Sequence, residues 1–177
     1  MLDDYAGTSG KLDMLLDILP GAIAAGRRVL LFSQFTSMLK ILRRHLDAEG
    51  YETMYLDGET PSSKRLEMTE QFNGGQGQIF LISLKAGGTG LNLTGADMVI
   101  HYDPWWNPAA EDQATDRAHR IGQTRKVEVI RLVTHDSIEE QVVALGQRKK
   151  ALFDQLVTPG ETLVTALTEQ DIRALFA

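Results

Sequence analysis

The sequence predicts an α/β fold, with an open, mostly parallel sheet flanked by helices. Five short apolar runs alternate with segments in which apolar residues recur at helical spacing. These runs cover residues 29–35, 53–57, 79–84, 98–103 and 127–134. Polar or glycine-rich residues follow most of the runs directly, as they do where the strands of a parallel sheet end. Strands that alternate with helices in this way predict right-handed crossovers between parallel neighbours.

The composition narrows the class of protein. The 177 residues are 43% hydrophobic and 24% charged, which suits one globular domain with a sizeable core. Because the sequence has no cysteine, neither disulfides nor thiolate metal sites are expected. It shows no signal peptide and no long apolar run, which predicts a cytoplasmic protein without a membrane partner. The formal charge of −6 predicts weak attraction to phosphates, although basic residues cluster at 43–44, 64–65 and 148–150.

The first predicted element is a helix from Ser9, its expected N-cap, to about residue 25. Its leucines recur at helical spacing, and Pro20 falls within that pattern, so the helix should kink or restart there. Residues 9–11, Ser-Gly-Lys, resemble the end of a phosphate-binding P-loop. They have no preceding strand and no GxxxxGK frame, so they are interpreted as a helix start. Residues 1–8 are expected to form a loose leader.

The next elements follow the same alternation. The run at 29–35 predicts a strand buried on both faces, and a helix over 37–48 follows it. A strand over 53–57 leads into a helix over 61–72, and the glycines at 74–77 form a loop.

Most residues that can carry chemistry lie between positions 79 and 123. Two predicted strands in this stretch are each followed by a distinctive loop, one rich in glycine and one with two tryptophans. In order, the segments are the strand at 79–84, the glycine-rich turn at 85–91, the strand at 98–103 and the tryptophan loop at 104–108. Glycines let the backbone approach a ligand closely, so the turn is a candidate binding element.

The last part of this stretch predicts a helix that ends in two arginines. At about 100° per residue, Gln113, Arg117 and Arg120 fall within roughly 60° of one another on its surface. An apolar stripe beside them would pack on the sheet. The stripe consists of Ala110, Ala114, Ala118 and Ile121. Two forked guanidinium groups suit a polyphosphate; surface ion pairs with Asp112 and Asp116 are the alternative.

Several segments together resemble one known family. SLKAGGTGLNL, YDPWWNP and QATDRAHRIGQ, in this order and spacing, resemble motifs V, Va and VI of the SWI/SNF family of superfamily 2 helicase-like ATPases. RVLLFSQFTSML is similar to motif IV, and YLDGETPSSKR to the neighbouring DG-containing element. HDSIEEQVVALGQRKKALFDQLV is similar to the helix that braces the two ATPase lobes. The resemblance covers about residues 9–157.

The resemblance implies a RecA-like second lobe without its own P-loop. In the family, ATP with Mg²⁺ is bound mainly by the first lobe, which carries the P-loop and the acidic magnesium site. Neither motif is present in this sequence, and Asp103, which is followed by a proline and two tryptophans, is interpreted as a turn residue. The chain alone is therefore expected to be inactive and monomeric. Its expected partners are the first RecA-like lobe of the same longer chain and the backbone of double-stranded DNA.

The resemblance also assigns roles to individual residues. Arg117 and Arg120 correspond to arginine fingers that reach ATP across the cleft, with Gln113, Gly88 and Gly90 as further ATP contacts. DNA contacts are expected from residues at the ends of the strands and in the glycine-rich turn. They are Ser33, Gln34, Asp57, Gly58, Arg65, Ser83, Lys85, Gly87, Thr89, Asn92 and Trp106. Trp105 is expected to be buried between loop and sheet, His101 to be a core or turn residue, and no metal site is predicted.

The last helix is expected over about 137–157, followed by a tail at 158–177 with a short helix. Its apolar positions repeat at spacings of three, four and seven, so they require a partner surface. Either the end of this helix is mobile, or residues 168–176 cover its apolar side.

Three functions are compatible with the sequence. The first is an ATP-driven double-stranded DNA translocase that remodels protein–DNA complexes, in the nucleoid of a prokaryote or the nucleus of a eukaryote. The second is another superfamily 2 helicase acting on RNA or DNA, but the ending RIGQ replaces the RxGR typical of the RNA-directed branch. The third is a non-enzymatic nucleic-acid-binding module.

Overall fold

Five parallel strands form one sheet in the order β2-β3-β1-β4-β5. The computed structural model describes residues 9–87, 90–119, 123 and 125–156, with 150–156 described as backbone only. The strands are β1 (Val29–Ser33), β2 (Thr53–Leu56), β3 (Ile79–Ser83), β4 (Met98–His101) and β5 (Glu128–Arg131). The predicted α/β fold is confirmed, and every strand pair in the sheet is parallel.

Helices cover both faces of this sheet. They are α1 (Gly10–Ala24), α2 (Thr36–Ala48), α3 (Ser62–Asn73), the single-turn α4 (Leu84–Gly87), α5 (Pro108–Thr115) and α6 (Ile138–Leu156). None of the described helices combines the length and the apolar character needed to cross a membrane. The predicted leader at 1–8 and the tail at 158–177, with its segment at 168–176, lie outside the described residues.

The core has two halves, one on each face of the sheet, because successive strand side chains point to opposite faces. Leu30 and Phe32 of β1 pack with the first half, which includes buried residues of α3, α4 and α5. Val29 and Leu31 pack with the second half, which includes the leucines of α1 and α2. A parallel sheet covered on both faces accounts for the nearly continuous apolar runs and complete burial of β1, β3 and β4.

Strand register brings the carboxyl ends of the strands to one edge of the sheet. Ser33 at the end of β1 lies opposite Ser83 at the end of β3. On the other side of β1, Phe32 lies opposite His101, the last residue of β4. The loops that follow β1, β3 and β4 therefore start side by side, as the sequence predicts.

The N-terminal helix is continuous through Pro20, so it does not restart there, and this proline is exposed on its surface. Ser9 occupies the N-cap position, but its side chain makes no capping hydrogen bond.

Candidate nucleotide and nucleic-acid interface

The turn after β1 is fixed to the turn after β4 by a buried carboxylate. Asp103 accepts a hydrogen bond from the backbone amide of Gln34 (2.9 Å) and another from the Ser33 hydroxyl. The Ser33 oxygen also accepts from the Phe35 amide (3.0 Å). Burial raises the pKa of Asp103, and these hydrogen bonds counteract only part of that rise. Both Asp103 oxygens are used within the fold, which agrees with the interpretation of a turn residue.

The DG-containing turn after β2 is a closed hydrogen-bonded unit. Asp57 accepts from the Tyr55 hydroxyl (2.8 Å) and the Glu59 amide (3.0 Å). Burial alone would raise the pKa of Asp57, but these hydrogen bonds outweigh it and hold the pKa below its usual value. Arg65 donates to the carbonyls of Thr60 (2.7 Å) and Gly58 (2.9 Å). The guanidinium of Arg65 therefore braces this turn and leaves Gly58 exposed on its surface.

The turn after β3 contains the single-turn helix α4. The Ser83 hydroxyl accepts from the Ala86 amide (3.3 Å), and Lys85 projects from the surface. Gly87 is buried so tightly that a Cβ there would lie 2.9 Å from Phe32 Cε1. Gly90 has a φ of +77°, a conformation that glycine adopts without strain. Gly88 and Thr89 lie outside the described residues.

The loop before β4 is held by Asn73 at the end of α3. The side-chain nitrogen of Asn73 donates to the backbone carbonyl of Asn92 (2.7 Å). The side-chain oxygen of Asn73 accepts from the backbone amide of Gly95 (2.9 Å). The Asn92 side chain is exposed. Asn73 was not predicted as a functional residue; its position beside Gly74-Gly75 marks a helix end but does not reveal these distant partners.

Helix α5 ends earlier than predicted, and this changes the setting of Arg117. The helix starts at Pro108, with the Asn107 side chain accepting from the Ala109 amide (3.2 Å), and it ends at Thr115. The amides of Arg117 and Ala118 then donate to the carbonyls three residues back, at 3.2 and 3.0 Å, which marks a tight turn rather than continued helix. The expected helical edge through Gln113, Arg117 and Arg120 was therefore wrong for Arg117.

Tertiary contacts explain why the helix gives way to a turn. The Arg117 carbonyl accepts from the Leu93 amide (2.9 Å), so this residue is fixed to the loop that follows α4. We call residues 116–118 the arginine turn. Only 4% of Arg117 is exposed, whereas Gln113 is exposed on α5. Of the predicted stripe, Ala114 and Ala118 are buried; Arg120 and Ile121 lie outside the described residues.

The tryptophan loop joins α5 to β5 and α6. Trp105, half-buried against the core, donates its amide to Glu111 (2.6 Å). Glu111 is buried and also accepts from Arg131 Nε on β5 (2.7 Å). The half-buried Trp106 lies beside Trp105, with ring centroids 5.6 Å apart, and Lys149 of α6 lies 5.7 Å from its ring centre. A cavity of about 200 Å³ remains between α5, β5 and α6.

Helix α6, predicted at 137–157 and observed at Ile138–Leu156, is attached to the rest of the lobe at two points. Lys11 of α1 donates to Glu139 (2.6 Å) and to the Tyr102 carbonyl (3.0 Å). Gly146 lies against Pro108, because a Cβ on Gly146 would be 2.9 Å from Pro108 Cγ. Lys11 was predicted only as part of a helix start; its role in holding α6 depends on partners 91 and 128 residues away.

Histidines and acidic residues form no buried metal site among the described residues. His101 is fully buried, as the prediction of a core histidine requires, and burial lowers its pKa to about 4. His135, Asp136 and Glu140 are the one described group whose ligand atoms lie within 4.8 Å of one another, and all three are exposed.

Comparison with known proteins identifies the family. Residues 10–122 match the model of the helicase conserved C-terminal domain. One relative is the Bacillus subtilis protein named "Putative ATP-dependent helicase/translocase YwqA". It is 41% identical over 172 residues, which are 97% of this chain and 18% of that protein. The helicase swr1 of Aspergillus fumigatus is 41% identical over 165 residues, 93% of this chain and 10% of that protein.

A solved structure agrees with these sequence matches. The crystal structure of the C-terminal part of the Fun30 ATPase domain superposes with a TM-score of 0.77 and 40% sequence identity, covering 82% of this chain and 47% of that one. The chain thus spans only a small fraction of the length of its curated relatives. The chain belongs to the helicase conserved C-terminal domain family, and it is a C-terminal RecA-like lobe of the SWI/SNF type.

Proposed function

We propose that the chain is the second ATPase lobe of an ATP-driven double-stranded DNA translocase that remodels protein–DNA complexes. The observation that carries this proposal is the convergence of four segments at one edge of the sheet. The turns after β1, β2, β3 and β4 correspond to motif IV, the DG element, motif V and motif Va. The turn that follows α5 brings motif VI to the same loop system through the Leu93–Arg117 hydrogen bond.

For ATP hydrolysis, we assign the transition-state contacts to Arg120 and Arg117. A guanidinium at the transferred phosphoryl group stabilises charge that develops there and contributes about 10³- to 10⁵-fold in rate. Arg120 is the principal finger in this proposal. Arg117 is proposed to support this contact. It is only 4% exposed, and its backbone is fixed to the motif V loop. Gln113, Gly88 and Gly90 are proposed to line the same cleft.

ATP and Mg²⁺ are proposed to bind mainly to the first lobe. The described carboxylates at this edge do not suit a magnesium ion, because the oxygens of Asp103 and Asp57 already accept hydrogen bonds within the lobe. Helix α6 is proposed to brace the two lobes, since it already contacts α5 through Gly146.

For DNA, we assign direct contacts to the groups that project from the edge. Lys85, Gly58 and Asn92 are exposed, and Gln34 and Trp106 are half-buried. Such groups contact the sugar–phosphate backbone without reading base sequence. The other proposed residues act through the turns they hold or, for Thr89, through a position outside the described residues. These are Ser33, Asp57, Arg65, Ser83, Gly87 and Thr89.

The test uses the protein that carries this lobe together with a P-loop lobe, and it compares how strongly different nucleic acids stimulate ATP turnover. ATP turnover is measured with duplex DNA, single-stranded DNA and duplex RNA at the same salt concentration. Translocation is followed by displacement of a third strand from duplex DNA. Stimulation by duplex DNA with strand displacement is expected. Stimulation by RNA alone would favour the RNA-helicase alternative, and binding without turnover would favour a non-enzymatic module.

A further inference from the structure

A buried histidine connects two of the motif segments. His101, the last residue of β4, is fully buried, and its Nε2 lies 3.0 Å from the hydroxyl of Thr115. Thr115 is the last residue of α5, directly before the arginine turn. The hydrogen bond therefore fixes the point at which α5 ends to the end of a central strand.

The direction of this hydrogen bond follows from the other ring nitrogen. Nδ1 of His101 has no hydrogen-bond partner in the part of the chain that the structure describes. A buried N–H without an acceptor is costlier and rarer than a buried acceptor without a donor. The neutral tautomer with the proton on Nε2 is accordingly favoured, so the imidazole donates to the Thr115 oxygen.

The same imidazole also contacts the glycine-rich turn through one intermediary. The rings of His101 and Phe32 are stacked, with centroids 5.6 Å apart and an interplanar angle of 20°. Phe32 in turn lies where a Cβ on Gly87 would be 2.9 Å from its ring. Because protein interiors are close-packed, a displacement of the imidazole changes the packing at Gly87 and the hydrogen bond at Thr115.

We propose that His101 is a positioning residue that sets the arginine turn relative to the motif V turn through its hydrogen bond to Thr115. An apolar ring would fill the same space and stack on Phe32 equally well. The directional contact to Thr115 is what the imidazole adds. This inference rests on the proposed function, because the arginine turn matters for turnover only if its arginines act on the nucleotide.

Thr115→Val tests the contact, since it removes the hydroxyl and keeps the branched shape. Thr115→Ser is the matched control that retains the hydroxyl. Ile79→Val is the control for a small loss of core packing, because Ile79 is fully buried on β3 and belongs to the core half opposite α5. If Thr115→Val does not fold, His101→Leu and His101→Gln form the second pair; the glutamine amide replaces the Nε2 donor.

Two measurements separate positioning from general stability. In the protein that carries both lobes, Thr115→Val is expected to lower kcat roughly ten- to hundredfold with KM for ATP almost unchanged, because misplacement of a transition-state group affects kcat. In the 177-residue chain, the Arg117 Nε–Hε NMR resonance is expected to shift in Thr115→Val. Neither change is expected in Thr115→Ser or Ile79→Val.

The two measurements also distinguish this inference from the proposed function. An unchanged Arg117 resonance in Thr115→Val, or a kcat loss equal to that of Ile79→Val, overturns the positioning role. Absence of DNA-stimulated turnover in the parent protein overturns the proposed function, and the resonance still decides the positioning role.

Discussion

Replacing Gly95 with alanine should destabilise the lobe by a contact that the structure specifies atom by atom. A Cβ on Gly95 would lie 2.8 Å from Asn73 Cα and 3.1 Å from Arg28 Nη1. Asn73 Cα is backbone at the end of α3. The Arg28 guanidinium is held by the carbonyls of Phe72 and Gly77. Neither neighbour can move away without breaking other contacts, so the loop itself has to shift.

The magnitude follows from opposing effects. Forcing an additional methyl group into a packed contact costs about 1–3 kcal/mol. Shifting the loop also weakens the two Asn73 hydrogen bonds to Asn92 and Gly95, each with a net contribution of about 1 kcal/mol. Replacing glycine restricts the unfolded chain and stabilises the fold by about 0.4–1 kcal/mol. The expected net loss is about 1–3 kcal/mol, or roughly 2–4 °C in Tm for each kcal/mol.

Urea unfolding of the 177-residue chain measures this loss directly. The midpoint should fall while the slope of the free energy of unfolding against urea stays constant. Gly58→Ala is the matched control, because that glycine lies in a turn with no heavy atom within 4 Å of an added Cβ and no positive φ. Its stability should stay at or slightly above that of the parent. A Gly95→Ala midpoint equal to that of Gly58→Ala would refute the argument.

Four further outcomes are expected. Isothermal titration of the 177-residue chain should show no tight Mg-ATP binding, since the sequence has no P-loop; submillimolar affinity would contradict this. In the protein with both lobes, Arg120→Ala should keep ATP binding but lose at least about 10³-fold in turnover, and turnover within a few-fold of the parent would refute the finger assignment. Gly146→Ala should displace α6 from Pro108 and change the emission of Trp105 and Trp106, whereas Gly21→Ala, with open space around it, should not. Stability should fall by on the order of 2–3 kcal/mol as pH drops from 6.5 towards 4, and His101→Gln should remove most of that slope in urea titrations at several pH values.

The sign of the pH effect comes from the burial of His101. Burial lowers its pKa from 6.5 to about 4; the charges of Glu111 and Asp112 oppose the shift and Arg131 adds to it. Between these values the unfolded chain binds more protons than the folded one, so stability rises with pH. An equal slope in the parent and in His101→Gln would show that another group is responsible.

The sequence predicted the strands well because a parallel sheet covered on both faces needs continuous apolar runs. Its errors lie where partners distant in sequence replace local ones. The local sequence pattern predicts that α5 continues past Thr115. In the structure the Arg117 carbonyl accepts from the Leu93 amide, whereas in a continued helix it would accept from an amide four residues further along the same helix. The bracing function of Asn73 and Lys11 depends on such distant partners and could not be deduced from local spacing.

The two outer strands of the sheet determine how the lobe behaves in a crowded solution. β2 and β5 are four residues long each, so a strand from another chain could form only a few ladder hydrogen bonds with either one. On β5, Glu128 bonds Arg27 and Arg131 bonds Glu111, so both ends of that strand carry charged side chains already engaged within the lobe. Short edge strands and charged side chains both oppose edge-to-edge pairing and the aggregation that follows from it. In the part of the chain that the structure describes, growth of the sheet is therefore limited at β2 by the shortness of the strand, and at β5 by its shortness and its charged ends.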